Sequence, residues 1–298
     1  MNICRKEYFI ALTVLFLGLP GLAVVAQQIK RPSLMGIAFV ELQVSELKKS
    51  KIFYGDLLGY TLIPGKMGTG KKLHSIDIKI NARQSIKIQD GLPAEQDERF
   101  ISIAFQTSGA EAMRRYLQSK NIQVPACVKK ENGYLWFEVN DPDGHPIRFV
   151  ELITNNNAHT LIKTRAVSTR ILHAGLTIVS TTAADAFYKD ILGFSEIWRG
   201  GSNDSIISWI NMRLPESTDY LEYMLTTGSL NRQQLGSAHH IALMVPDMQC
   251  ALDMLNSKAA AKKYEIAAPR IGRNKRWQLN LYDPDGTRIE LMEPFPMK

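Results

Sequence analysis

The chain has 298 residues, a formal net charge of +7 and 45% hydrophobic residues, which supports about two globular domains and excludes a disordered or collagen-like chain. Its basic residues are scattered apart from "KKYEIAAPRIGRNKRW", so no basic patch interleaved with aromatics marks a nucleic-acid binder. Three cysteines, of which Cys127 and Cys250 occupy unrelated places in the chain, exclude a disulfide scaffold.

At the N-terminus Arg5 and Lys6 precede an apolar run from Tyr8 to Val25 that ends in "AVVAQQ". Val24 and Ala26 suit signal cleavage after Ala26, and "GLPG" interrupts what would otherwise resemble an uncleaved anchor. The expectation is a signal peptide over 1–26 and an exported chain, periplasmic or extracellular. Removing Arg5, Lys6 and Glu7 takes the charge from +7 to +6, and no later segment is apolar enough to span a membrane.

Beyond this the chain repeats itself. "VSELKKSKIFYGDLLGY" (Val44 to Tyr60) matches "IVSTTAADAFYKDILGF" (Ile178 to Phe194) in its aromatic pair and its Leu-Gly-aromatic stop. "VNDPDGHPIRFVEL" matches "LYDPDGTRIELME" in the same way. Domains are expected at 34–153 and 168–295, joined by an Asn- and Thr-rich linker at 154–167. Ala183, Phe187 and Ile191 are spaced as on an amphipathic helix, and Gly193 follows as its stop. Each domain divides again into two units of strand, helix and about three strands, with "DPDG" as a turn. The predicted class is α+β: four tandem βαβββ units forming two curled mixed sheets, each a cup.

In the second domain, repeat-equivalent strand positions hold His173, Glu222, His240 and Glu290. Two imidazoles and two carboxylates form the ligand set of a divalent cation, and two Glu charges balance it. The corresponding residues of the first domain are Phe39, Lys87, Ser102 and Arg148, which cannot hold a cation together, so that domain reads as a decayed copy. His239 is expected on the opposite strand face from His240, and Glu151 and Glu293 are expected to be solvated. Arg273, Lys275 and Arg276 are the candidate substrate-binding cations, holding a carboxylate at the mouth of the cup.

"LHAGLTI", "YLEYML", "HHIALMV" and "DPDGTRIELME", in that order, resemble the ligand segments of glyoxalase I in the vicinal oxygen chelate superfamily, which also contains bleomycin-resistance proteins and extradiol dioxygenases. The resemblance implies one divalent ion (Ni, Co, Zn or Fe(II)) and a small-molecule substrate chelated through neighbouring oxygens, in a monomer or homodimer. It implies a glyoxalase-like lyase or isomerase with Glu222 and Glu290 as catalytic carboxylates. The alternatives are an Fe(II) extradiol-type dioxygenase, or a non-catalytic small-molecule binding protein. A fourth protein ligand leaves about two octahedral positions, which suits chelation without oxygen binding. Lys275 stands near where the dioxygenase signature has a His.

Overall fold

The computed structural model describes residues 29–65, 74–131, 133–153 and 165–297. The expected signal peptide and most of the expected linker lie outside the described residues. No described helix is long and apolar enough to cross a membrane.

Two eight-stranded mixed sheets make up the protein, as the α+β expectation required. The first runs, edge to edge, through β2 (Thr61–Pro64), β3 (Ser75–Lys79), β4 (Ser85–Asp90), β1 (Leu34–Val44), β5 (Phe100–Thr107), β8 (Pro146–Leu152), β7 (Tyr134–Asn140) and β6 (Lys129–Glu131), and the second repeats this order with its own eight strands. Each is two βαβββ units joined through their first strands. In the second sheet β9 (Ile171–Ile178) runs antiparallel to β13 (Ile241–Met244). They are flanked by parallel partners, β12 (Tyr220–Leu225) and β16 (Arg288–Met292). Outside these lie β11 (Trp209–Arg213) and β10 (Ser195–Gly200) on one side, and β15 (Trp277–Tyr282) and β14 (Arg270–Ile271) on the other.

Alternation along the strands decides what each face carries. Ala174, Leu176, Leu221, Tyr223, Ile241, Leu243, Ile289 and Leu291 enter one large apolar cluster that runs through both domains. The residues between them, including Glu222, Arg288 and Glu290, are left for the concave face. Helix α3 (Thr181–Ala184) continues as a π turn over Asp185–Ile191 and buries Phe187 and Tyr188. Its counterpart α1 (Leu47–Lys51), continued over Ile52–Leu57, buries Phe53 and Tyr54. The helix over the "PDMQCALDML" stretch is Met248–Asn256, capped by the Asp247 side chain. Gly193 (φ 79°) and Gly59 (φ 80°) stop the two π turns in the left-handed conformation.

Two expectations are corrected. Glu151 and Glu293 are not simply solvated: Glu151 Oε2 accepts from Ala110 N at 2.8 Å and Glu293 Oε1 from Met248 N at 2.8 Å. Each carboxylate thus caps the first turn of a helix in its own domain, where the unpaired backbone N–H groups and the helix dipole favour negative charge. His239 is not a strand residue facing outward. It sits at the end of a short helix, Arg232–Ala238, and is buried against the first domain through Glu98 (3.0 Å).

Candidate metal centre

Strand register brings the repeat-equivalent positions together. Gly175 on β9 faces Glu222 on β12, and Ala242 on β13 faces both His173 on β9 and Glu290 on β16. In the first sheet Glu41 faces Lys87 and Ala104 faces both Phe39 and Arg148. The two cups therefore correspond residue by residue, with His173, Glu222 and Glu290 on β9, β12 and β16 and His240 immediately before β13 rather than within a strand as expected.

All four side chains are buried, His173 and His240 almost completely. The two Nε2 atoms lie 3.0 Å apart. Glu290 Oε2 is 3.4 Å from His173 Nε2 and 3.7 Å from His240 Nε2. Glu222 Oε2 is 3.3 Å from His240 Nε2 and 4.0 Å from His173 Nε2. His173, His240 and Glu290 form the tightest set, with ligand atoms all within 4.8 Å of one another.

The donor chemistry fits a cation. His240 Nδ1 lies 3.0 Å from the Ala238 carbonyl, which can only accept, so Nδ1 carries the proton and Nε2 offers a lone pair. Burial and the Arg288 charge lower the His240 pKa, an effect that Glu222 partly offsets, which keeps the ring neutral. Burial would push Glu290 up, but contact with His173 and the charges of Arg288, His173 and His240 bring it down to about 2. Burial likewise opposes ionisation of Glu222, yet His240 and His173 hold it below the usual carboxylate range. A lone pair thus confronts carboxylate oxygens at 3.3 and 3.7 Å. Donors sharing one ion through bonds of about 2.0–2.2 Å sit about 3–3.5 Å apart.

Two neighbours shape the cluster. The His173 ring stacks on Tyr220 (4.5 Å, 26°). The His240 ring lies against Gly175, where an added Cβ would come within 2.1 Å of Nδ1 and 2.4 Å of the Ala238 oxygen. Only glycine leaves room for that imidazole. A glycine inside an apolar strand two residues after a His was the sequence signal for it.

The first cup closes on itself instead. Arg148 pairs with Glu41, which also accepts from Ser102 (3.2 Å) and Gln89 (2.6 Å). Lys87 Nζ lies 4.0 Å over the Phe39 ring. Burial lowers the Lys87 pKa, against the pull of Asp77 and Glu41.

A cavity of about 420 Å³ opens above the second cup and reaches Glu222 and Glu290. Trp198, Trp209, Arg270, Arg273 and Arg288 also line it. Of the three expected substrate-binding cations, only Arg273 lines this cavity, and it is paired with the exposed Asp204. Lys275 is a turn residue with φ 60°, its N–H donating to the Gly272 carbonyl, and Arg276 N donates to Asn274 Oδ1. Sequence reasoning missed Arg288, two residues before Glu290 on the same strand face, and the tryptophan walls. A larger hollow of about 590 Å³ beside Phe187 and Ile191 is lined by neither histidine nor cysteine.

Residues 170–291, the whole second sheet, match the Glyoxalase/Bleomycin resistance protein/Dioxygenase superfamily. The match is confined to the second domain. Among curated proteins no sequence matches. Solved structures match across both domains. An extradiol ring-cleaving dioxygenase from B. fuscum is 18% identical with a TM-score of 0.67, over 89% of this chain and 73% of that one. The 2,3-dioxygenase LapB from Pseudomonas sp. KL28 is 13% identical with a TM-score of 0.67, over 90% and 96%. At these identities the likeness concerns the fold. Within the matching domain a His-His-Glu cluster that could hold a metal ion lies in the expected cup.

Proposed function

We propose that the protein is a divalent-metal-dependent lyase or isomerase that moves a proton on a substrate chelated through two neighbouring oxygens. The observation that carries this reading is Glu222, a second buried carboxylate 3.3 Å from His240 Nε2. His173, Glu222, His240 and Glu290 would hold the ion, which would supply Lewis acidity to the substrate oxygens. Glu222, the less tightly clustered of the two carboxylates, takes the proton from the carbon beside the chelated oxygen and returns it to the neighbouring carbon. Glu290 stays ionised and holds the histidine pair in place. The walls of Trp198 and Trp209 exclude water from the transfer.

A second reading is an Fe(II) extradiol-type dioxygenase. It is favoured by the three-residue set of His173, His240 and Glu290, and by the dioxygenases among the structural relatives. Against it, no third imidazole lines the cavity among the described residues. Glu222→Gln separates the two. For the lyase, metal binding weakens and turnover of a 2-oxoaldehyde–thiol adduct falls about 100- to 10,000-fold. Catechol-dependent oxygen uptake that survives the change, with normal iron content, would establish the dioxygenase.

Export belongs to the same proposal, on the Arg5-Lys6, apolar-run and Ala26 pattern. N-terminal sequencing of protein from the native envelope should begin at Gln27, and Met1 intact on cytoplasmic protein would refute it.

A further inference from the structure

The geometry points to Arg288 as a built anion-reading group beside the metal centre, so that the substrate carries a carboxylate next to its two chelating oxygens. This rests on the metal-centre reading above and adds the substrate class to it.

Arg288 shares the concave face of β16 with Glu290 and lines the 420 Å³ cavity. Its side chain is only 14% exposed, and its Nε and Nη2 atoms are buried without a hydrogen-bond partner among the described residues. Leaving buried charged donors unpaired is costly, and a bound ligand that accepts from both removes the cost. Nε and Nη2 form one edge of the planar guanidinium, which matches the two oxygens of a carboxylate. The nearest internal anion, Glu222 Oε2, is 4.0 Å from Nη2, beyond hydrogen-bond reach.

Charge counting leads to the same place. Glu222 and Glu290 neutralise a divalent ion, and His240 is neutral, so Arg288 leaves the loaded cup one positive charge in excess. Those two glutamates are the only acidic residues lining the cavity, whereas Arg270 and Arg273 add positive charge at its mouth. The first cup supplies an internal comparison. Register places Pro146 where Arg288 stands, and Arg148 there is matched by its own Glu41. The unmatched arginine occurs only in the cup that carries the ligand set.

The test uses the full chain loaded with cobalt(II), whose visible spectrum reports chelation. Acetohydroxamate, a two-oxygen chelator with no charge outside its hydroxamate group, is compared with the monohydroxamates of malonic and succinic acid, which add one carboxylate. The wild type should bind at least one carboxylated probe about 10- to 100-fold more tightly than acetohydroxamate. Arg288→Gln should erase that preference while cobalt content and acetohydroxamate affinity stay near wild type, and Arg288→Lys should keep only part of it. No preference in the wild type, or a preference that survives Arg288→Gln, overturns the inference. If the chain takes up no cobalt, the metal-centre reading fails by itself. Arg288 is then judged on the metal-free chain by tryptophan fluorescence during titration with malonate: weakened binding in Arg288→Gln sustains the inference and unchanged binding overturns it.

Discussion

Tyr54 donates its hydroxyl to Asp283 Oδ2 at 3.1 Å across 229 residues of sequence. Its counterpart, Tyr188, donates to Asp141 Oδ2 at 2.8 Å. Both tyrosines lie in the π turns and both aspartates open a "DPDG" turn, so the bonds run crosswise, from the first unit to the fourth and from the third to the second. The turn motif is therefore a lock between domains as well as a reversal of the chain.

Tyr54→Phe leaves a fully buried carboxylate oxygen without its donor and should destabilise the protein by about 1–3 kcal/mol. Urea unfolding measures this, and metal stoichiometry should not change. Tyr188→Phe is a distant and milder lesion, because Asp141 Oδ2 keeps His145 Nδ1 at 2.9 Å, and the double variant should show roughly additive losses. Strongly non-additive losses would mean that the two locks form one network.

Burial, with the Asp285 charge, raises the Asp283 pKa to about 6 against the donors that stabilise its ionised form. Because the folded-state value exceeds the unfolded one, the fold binds this proton more tightly. The group then costs stability above about pH 6, by up to about 3 kcal/mol, and the cost fades as pH falls toward 4. Asp283→Asn keeps the shape and removes the titration. Its Tm relative to wild type should fall steadily from pH 7 to pH 4, and a difference independent of pH would rule Asp283 out as the titrating group.

Gly175→Ala should abolish stoichiometric metal binding, because its methyl group occupies the place of the His240 ring. Elemental analysis of the purified chain tests this, with circular dichroism to confirm that the sheets remain. Full metal content in the variant would mean that the His240 ring is held elsewhere than against Gly175.

One ion per chain is expected, since Phe39, Lys87, Ser102 and Arg148 fill the first cup with its own ion pair and aromatic contact. Chelation should lower the thermal midpoint, as loss of a tightly bound ligand removes about 2.7 kcal/mol at a hundredfold excess over Kd. Two ions per chain, or a midpoint indifferent to chelator, would contradict the site.

What was legible in the sequence followed from period. His173, Glu222, His240 and Glu290 stood out because two copies of one pattern could be laid over each other, and strand register reproduces that overlay. What was illegible depends on partners distant in sequence. Nothing near Tyr54 announces Asp283, and nothing near Ala110 announces Glu151. Arg288 stands in the "DPDGTRIELME" segment opposite Pro146 of the first copy, and a guanidinium is no metal ligand, so the ligand pattern does not mark it. Arg273, Lys275 and Arg276 cluster in sequence, but a tight hairpin turn sends their side chains to different surroundings.

The crosswise tyrosine–aspartate pairs give the first domain a task that needs no chemistry of its own. Each domain lends a phenol to the other and receives one in return, so separating them would strand a buried carboxylate in both. A cup that has lost its ligands cannot then be shed. It is bonded through these pairs to the domain whose two histidines meet at 3.0 Å.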